Sequence, residues 1–137
     1  MGESLEVAME KTSLLDTNVL VRFLVGDNEQ QKAKAIEWFR EATIGKRTII
    51  VKPMVVAETV FVLESFYKHT REDIMSSLLP FIAMPALTVE EQDTLLYLWT
   101  DFLNGLHFVD AYLLTSARLA GTDLLTFDRD LLKRTGF

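Results

Sequence analysis

Four carboxylates stand inside otherwise apolar stretches: Asp16 in SLLDTNVL, Glu58 in VVAETVFVL, Asp110 in FVDAYLL and Asp128 in LLTFD. A carboxylate loses hydration when such a stretch packs, and several brought together repel one another; a divalent cation offsets both costs. Carboxylate oxygens are the hard ligands that Mg²⁺ and Mn²⁺ take, and both ions keep some of their waters, so three or four acids suffice. One or two such ions position a water, help to deprotonate it and neutralise the charge that builds during phosphodiester cleavage. The expected products are a 5′-phosphate and a 3′-hydroxyl. The acids point first to a metal-dependent enzyme.

Each acid also has a plainer role open to it. Asp16, Asp110 and Asp128 sit where an N-cap aspartate would sit, and capping accounts for any one of them taken alone. Glu58 is mid-helix: Met54, Phe61 and Val62 are its neighbours at helical spacing, and Val56, Val60, Leu63 and Tyr67 fill the other side. It is therefore expected to point into the protein, where it needs a metal, an arginine or a lysine. His69, at an expected helix end, and His107, in a turn, read as structural. Trp38, Trp99 and the nine phenylalanines fall mostly at core-like spacing rather than as base-stacking platforms.

The elements that must position these acids alternate along the chain. Strands are expected at residues 12–15, 48–51 and 123–127, with a short one at 86–89. Helices are expected at 19–25, 29–42, 53–69, 71–79, 90–103, 109–120 and 129–134. Strands separated by helices indicate a parallel sheet covered on both faces. Ligands of such sheets bind beyond the carboxyl ends of the strands. Asp16 and Asp128 directly follow expected strands, and Asp110 opens a helix whose Leu113, Leu114 and Ala117 mark a buried stripe. Right-handed crossovers then bring the three to one rim, with Glu58 reaching up from its own helix.

Composition sets the outer bounds. At 137 residues, 49% apolar and 25% charged, the chain suits one globular domain, placed at residues 11–137. Residues 1–10, MGESLEVAME, carry three glutamates and no basic segment, so they read as an extension rather than a secretory signal. The absence of cysteine excludes a disulfide framework and a thiolate metal site, and is compatible with a reducing cytoplasm. The uncharged run at 76–89 is broken by Pro80 and Pro85 and is too short to span a bilayer, so no membrane segment is expected. A net charge of −6 argues against a broad basic coat for nucleic acid, but not against a nuclease whose bound metal meets the phosphate. Arg22, Lys46, Arg47, Lys133 and Arg134 are scattered and read mainly as solvated surface charges.

Taken in order, LLDTNVLVRFL, VAETVFVL, FVDAYLLTSA and LLTFDRDL resemble the motifs of PIN domains, particularly the VapC-type toxins of toxin–antitoxin pairs. Each motif is weak singly; the ordered set, over residues 13–131, is specific. The resemblance implies a three-layer α/β/α domain around a parallel, four- to five-stranded sheet. It implies a Mg²⁺- or Mn²⁺-dependent endoribonuclease, with Asp16, Glu58, Asp110 and Asp128 as catalytic and metal-site acids. Asn18 and Thr126 become groups that orient the carboxylates, and Asp130 an accessory acid. A single-stranded or structured RNA substrate, a small antitoxin protein, a homodimer and a cytoplasmic location are implied with it. The sequence departs from the family at its C-terminus, where the closing strand is short or absent, and in its N-terminal extension. The alternative is a catalytically silent PIN-like module that binds RNA or protein. A phosphotransfer domain with Asp16 as nucleophile ranks below both, because DTN supplies no second acid beside it.

Overall fold

Three short strands form the frame of the computed structural model, which describes residues 11–135. They are β1 (Lys11–Leu14), β2 (Arg47–Val51) and β3 (Leu87–Val89), all parallel and ordered β1-β2-β3. The β-branched Thr-Ile-Ile-Val run of β2 occupies the centre, where two neighbours must be paired. Leu14 lies opposite Ile50, and Ile49 opposite Leu87.

Helices carry the chain between and beyond the strands. After β1 come α1 (Thr17–Val25) and α2 (Glu29–Thr43). After β2 come α3 (Pro53–Ser65) and α4 (Arg71–Ile82). After β3 come α5 (Gln92–Tyr97), α6 (Trp99–Leu103), α7 (Phe108–Ala120) and α8 (Arg129–Thr135). Local chemistry fixes their ends. Asn28 and Thr70 cap α2 and α4 by accepting from Gln31 N–H and Asp73 N–H. Gly26 ends α1 at φ 75°, a conformation that glycine adopts without a Cβ clash.

The core fills one side of the sheet. Ile49, Val51 and Leu87 are buried there with Leu20, Val56, Leu63, Ile74 and Leu78. Phe23, Phe39 and Phe81 pack edge to face at one end, and Trp99, Phe102 and Phe108 at the other. Arg71 ties the second cluster together: its Nη1 donates to the carbonyls of Phe102 and Leu106, and its guanidinium lies 4.4 Å from the Phe102 ring centre.

Several expectations need correction. The described sheet has three strands, not four to five. Residues 123–127 form no strand; Leu124 and Thr126 are half-buried while Leu125 and Phe127 are exposed, so the chain is apolar in composition without a ladder to join. The sheet face that carries Leu14 and Thr88 is also exposed, so the second covering layer is incomplete among the described residues. The helix expected at 90–103 is divided at Leu98, and that at 53–69 stops at Ser65, after which Lys68 takes a positive φ of 58°. The N-terminal extension at 1–10 lies outside the described residues. No described helix is long and apolar enough to cross a membrane.

Candidate active-site cleft

The three parallel strands end at one rim, and each end delivers polar side chains to it. Asp16 follows β1, Lys52 follows β2, and Glu90 and Glu91 follow β3. A cleft of about 730 Å³ opens beside this rim, lined by Asp16, Glu58 and Glu91 among apolar walls that include Met54, Val55, Val109 and Tyr112. The mostly apolar wall with a few convergent polar groups is the usual composition of a ligand site.

Asp16 is held by its position as the N-cap of α1: its backbone is extended, and Oδ2 accepts from the main-chain N–H of Asn18 at 3.2 Å. The next residue makes the connection across the cleft. Thr17 is buried, and its hydroxyl donates to Glu58 Oε1 at 2.5 Å. The first residue of α1 thereby fixes an acid of α3, a helix that begins 36 positions later in the chain. The hydrogen bond joins a neutral donor to a charged acceptor, the stronger class.

Glu58 does not point into the core as its apolar neighbours suggested. It is exposed, and so are Met54 and Phe61 one turn to either side, at 82% and 66%. That face of α3 borders the cleft; Val56, Val60 and Leu63 supply the buried face instead. Asp16 and Asp128 are exposed as well, and Asp110 is half-buried. Desolvation is therefore not what sets these four acids apart.

The structure brings Asp16 and Glu58 together and leaves the other two apart from them. Asp110, in the first turn of α7, lines an adjoining groove with Phe61, Glu64 and His107; Ala57, Phe108 and Val109 border both spaces. Asp128 borders neither. Its Oδ1 accepts from the main-chain N–H groups of Asp130 and Leu131 at the start of α8, the capping role open to it from sequence. Thr126 Oγ1 accepts from Asp128 N–H, so it orients the main chain rather than the carboxylate. Asp130 pairs with Arg134 at 3.5 Å. Asn18 reaches Asp16 through its backbone, and its side chain borders a separate small groove with Arg22 and Trp38. His69 and His107 lie outside the cleft, His69 with its Nδ1 buried and unpartnered and His107 exposed ahead of α7.

Three residues of the cleft escaped the sequence analysis. Glu91 adopts the left-handed conformation, φ 52°, unusual for a residue with a Cβ, and accepts from the Tyr112 hydroxyl at 2.6 Å. Burial first, and the Glu91 carboxylate second, push the Tyr112 phenol up to about 12. Lys52 Nζ pairs with Glu90 at 2.9 Å. A signal existed: Glu90 and Glu91 follow β3 just as Asp16 follows β1, and the same strand-end rule points to them.

The donors fit Mg²⁺ or Mn²⁺ in kind. All are hard oxygens, and Mg²⁺ is commonly bound through one or two protein carboxylates with waters and a substrate phosphate completing the shell. Asp16 and Glu58, which both line the cleft, meet that requirement. A group of three or more acids or histidines able to hold an ion is absent among the described residues.

Comparison with known proteins supplies the lineage. Residues 13–137 match the PIN domain family, and the chain belongs to it. Over 62 residues it is 45% identical to a VapC ribonuclease of Aquifex aeolicus (strain VF5), a stretch that spans 44% of this chain and 44% of that protein. No solved structure matches the chain.

Proposed function

We propose that this PIN-domain protein is a Mg²⁺- or Mn²⁺-dependent endoribonuclease, the toxin of a toxin–antitoxin pair. The observation that carries the proposal is the cleft shared by Asp16 and Glu58 at the carboxyl ends of the parallel strands, with Thr17 tying the two together. The partial likeness to a VapC ribonuclease supports the substrate class. Asp16 and Glu58 are the residues that would hold the ion; when bound, it supplies Lewis-acid activation of a water and neutralises charge on the cleaved phosphodiester. Asn18 N–H and the Thr17 hydroxyl aim the two carboxylates before substrate arrives. Met54, Val55 and Val109 give the strand an apolar bed from which water is displaced. Asp110, in the adjoining groove, and Asp128, at the start of α8 outside it, are the further acids assigned to this function. One domain at 11–137, an antitoxin that covers the cleft, a homodimer and a cytoplasmic location belong to the same proposal.

Asp16→Asn and Glu58→Gln preserve shape and remove charge. Each is expected to abolish Mn²⁺-dependent cleavage of a labelled RNA pool while the circular dichroism spectrum is unchanged. Wild-type cleavage by both variants would overturn the proposal. The position of Asp128 as a helix cap beyond the cleft favours a second possibility, a silent module that binds RNA or protein without turnover. Metal-independent RNA binding with no cleavage by wild type would select it.

A further inference from the structure

The cleft is mainly acidic and apolar, and a nucleic-acid strand must nonetheless be held in it. Lys52 is the single cation among the described residues that line it. It stands at the carboxyl end of the central strand, between the ends that carry Asp16 and Glu90, so its side chain starts from the middle of the rim. Its partner is Glu90, and both side chains keep nearly half their surface in water, at 47% and 43%. An exposed pair of this kind is weak and readily exchanged for a stronger acceptor. Three arginines are committed elsewhere: Arg22 to Asp27, Gln31 and Tyr67, Arg47 to Glu41 and Ser13, and Arg71 to main-chain carbonyls. Lys52 is also the N-cap residue of α3, whose amino end carries no side-chain cap and begins with Pro53. The partial positive charge of that helix end adds to the ammonium at the same place.

We propose that Lys52 is a substrate-positioning residue, which exchanges Glu90 for a phosphate of a single-stranded RNA laid along the cleft. The proposal rests on the ribonuclease function above and names the group that anchors the substrate. On a chain of net charge −6, a cation at the cleft is what turns a repelled polyanion into a bound one. The exchange is balanced in charge: the ammonium leaves one anion for another, and the Glu90 carboxylate returns to water.

Binding is measured by fluorescence anisotropy with a short labelled single-stranded RNA, without divalent metal, across a salt series. Lys52→Ala is expected to weaken binding about three- to tenfold at about 50 mM salt and to reduce the salt slope by about 0.7, the value of one phosphate contact on a single strand. Lys52→Arg retains the affinity, and Glu90→Gln, which frees the lysine, binds as tightly as wild type or more so. In Mn²⁺, Lys52→Ala raises KM and leaves kcat largely unchanged. Unchanged affinity and slope in Lys52→Ala, or an equal loss in Glu90→Gln, would overturn the assignment and reduce Lys52 to a partner of Glu90. If wild type binds the RNA but does not cleave it, the ribonuclease function fails alone, and Lys52 is still judged by the anisotropy. If wild type binds no RNA, both fail.

Discussion

Thr17→Val tests the tie between the two acidic segments. The hydroxyl donates to Glu58 Oε1 while the residue itself is buried, so valine preserves the volume and removes only the donor. A hydrogen bond to a charged acceptor contributes about 1.5–3 kcal/mol net, and the exposed Glu58 carboxylate regains water when the donor is lost, which places the cost near the lower end. About 1.5 kcal/mol lowers Tm by about 3–6 °C in a domain of this length. Activity should fall further than stability, because removing a group that orients a metal-site carboxylate costs about 10–100-fold. Thermal denaturation and Mn²⁺-dependent cleavage at 25 °C are compared for wild type, Thr17→Val and Thr17→Ser, the last of which keeps the donor. Serine is expected to retain most of the activity. Valine that cleaves RNA within twofold of wild type while Tm drops as expected would make Thr17 a structural tie only. A Tm identical to wild type would deny the hydrogen bond itself.

Asp128→Ala removes the acceptor for two main-chain N–H groups and should cost about 1 kcal/mol in urea denaturation, whereas Asp128→Asn keeps a cap and should leave stability unchanged. Loss of cleavage in the asparagine variant then reports the charge alone. Arg71→Ala strips the Phe102 and Leu106 carbonyls of their donor and the Phe102 ring of its cation, so the urea midpoint should fall by the equivalent of about 2–3 kcal/mol with a normal cleavage rate per folded molecule. Tyr112, with its folded-state pKa raised from 10.0 to about 12, binds its proton more tightly folded than unfolded. That contribution is complete below about pH 10 and is lost as pH rises from about 10 to 12. Tyr112→Phe should flatten this alkaline decline in stability, and absorbance of the tyrosinate should lose the component that ionises near pH 12.

What the sequence showed of this fold is the part set by local chemistry. Thr48 to Val51 is β-branched and Pro53 can only start a helix, so β2 and α3 were legible, as were the ends at Gly26 and Gly121. The strand expected at 123–127 was not realised, because Leu124 to Phe127 has strand composition whether or not a neighbour stands ready to pair, and pairing is decided by tertiary structure. Glu58 was misplaced for a related reason. A helix apolar nearly all round looks buried all round, yet Met54 faces an open cleft and Phe61 the adjoining groove, and nothing in periodicity separates a cleft wall from a core. Asp16 was located correctly by the rule for strand ends. The same rule applied to β3 points to Glu91, but its bond to Tyr112 lay beyond reach, since it depends on a positive φ and on how α7 is set against the β3 end.

The wholly parallel sheet has a kinetic consequence. Lys11 pairs with Arg47, and Ile49 with Leu87, so each ladder closes a loop of roughly three dozen residues before its first hydrogen bond forms. Helices α2 and α3 can begin to form locally, but the rim that carries Asp16, Lys52 and Glu91 exists only after both long closures. Refolding should therefore be slow for a chain of this size, with nuclease activity returning in the last phase, behind the recovery of helical signal. Under the proposed ribonuclease function, a nascent chain cannot cut RNA until residues as far as Glu91 have left the ribosome.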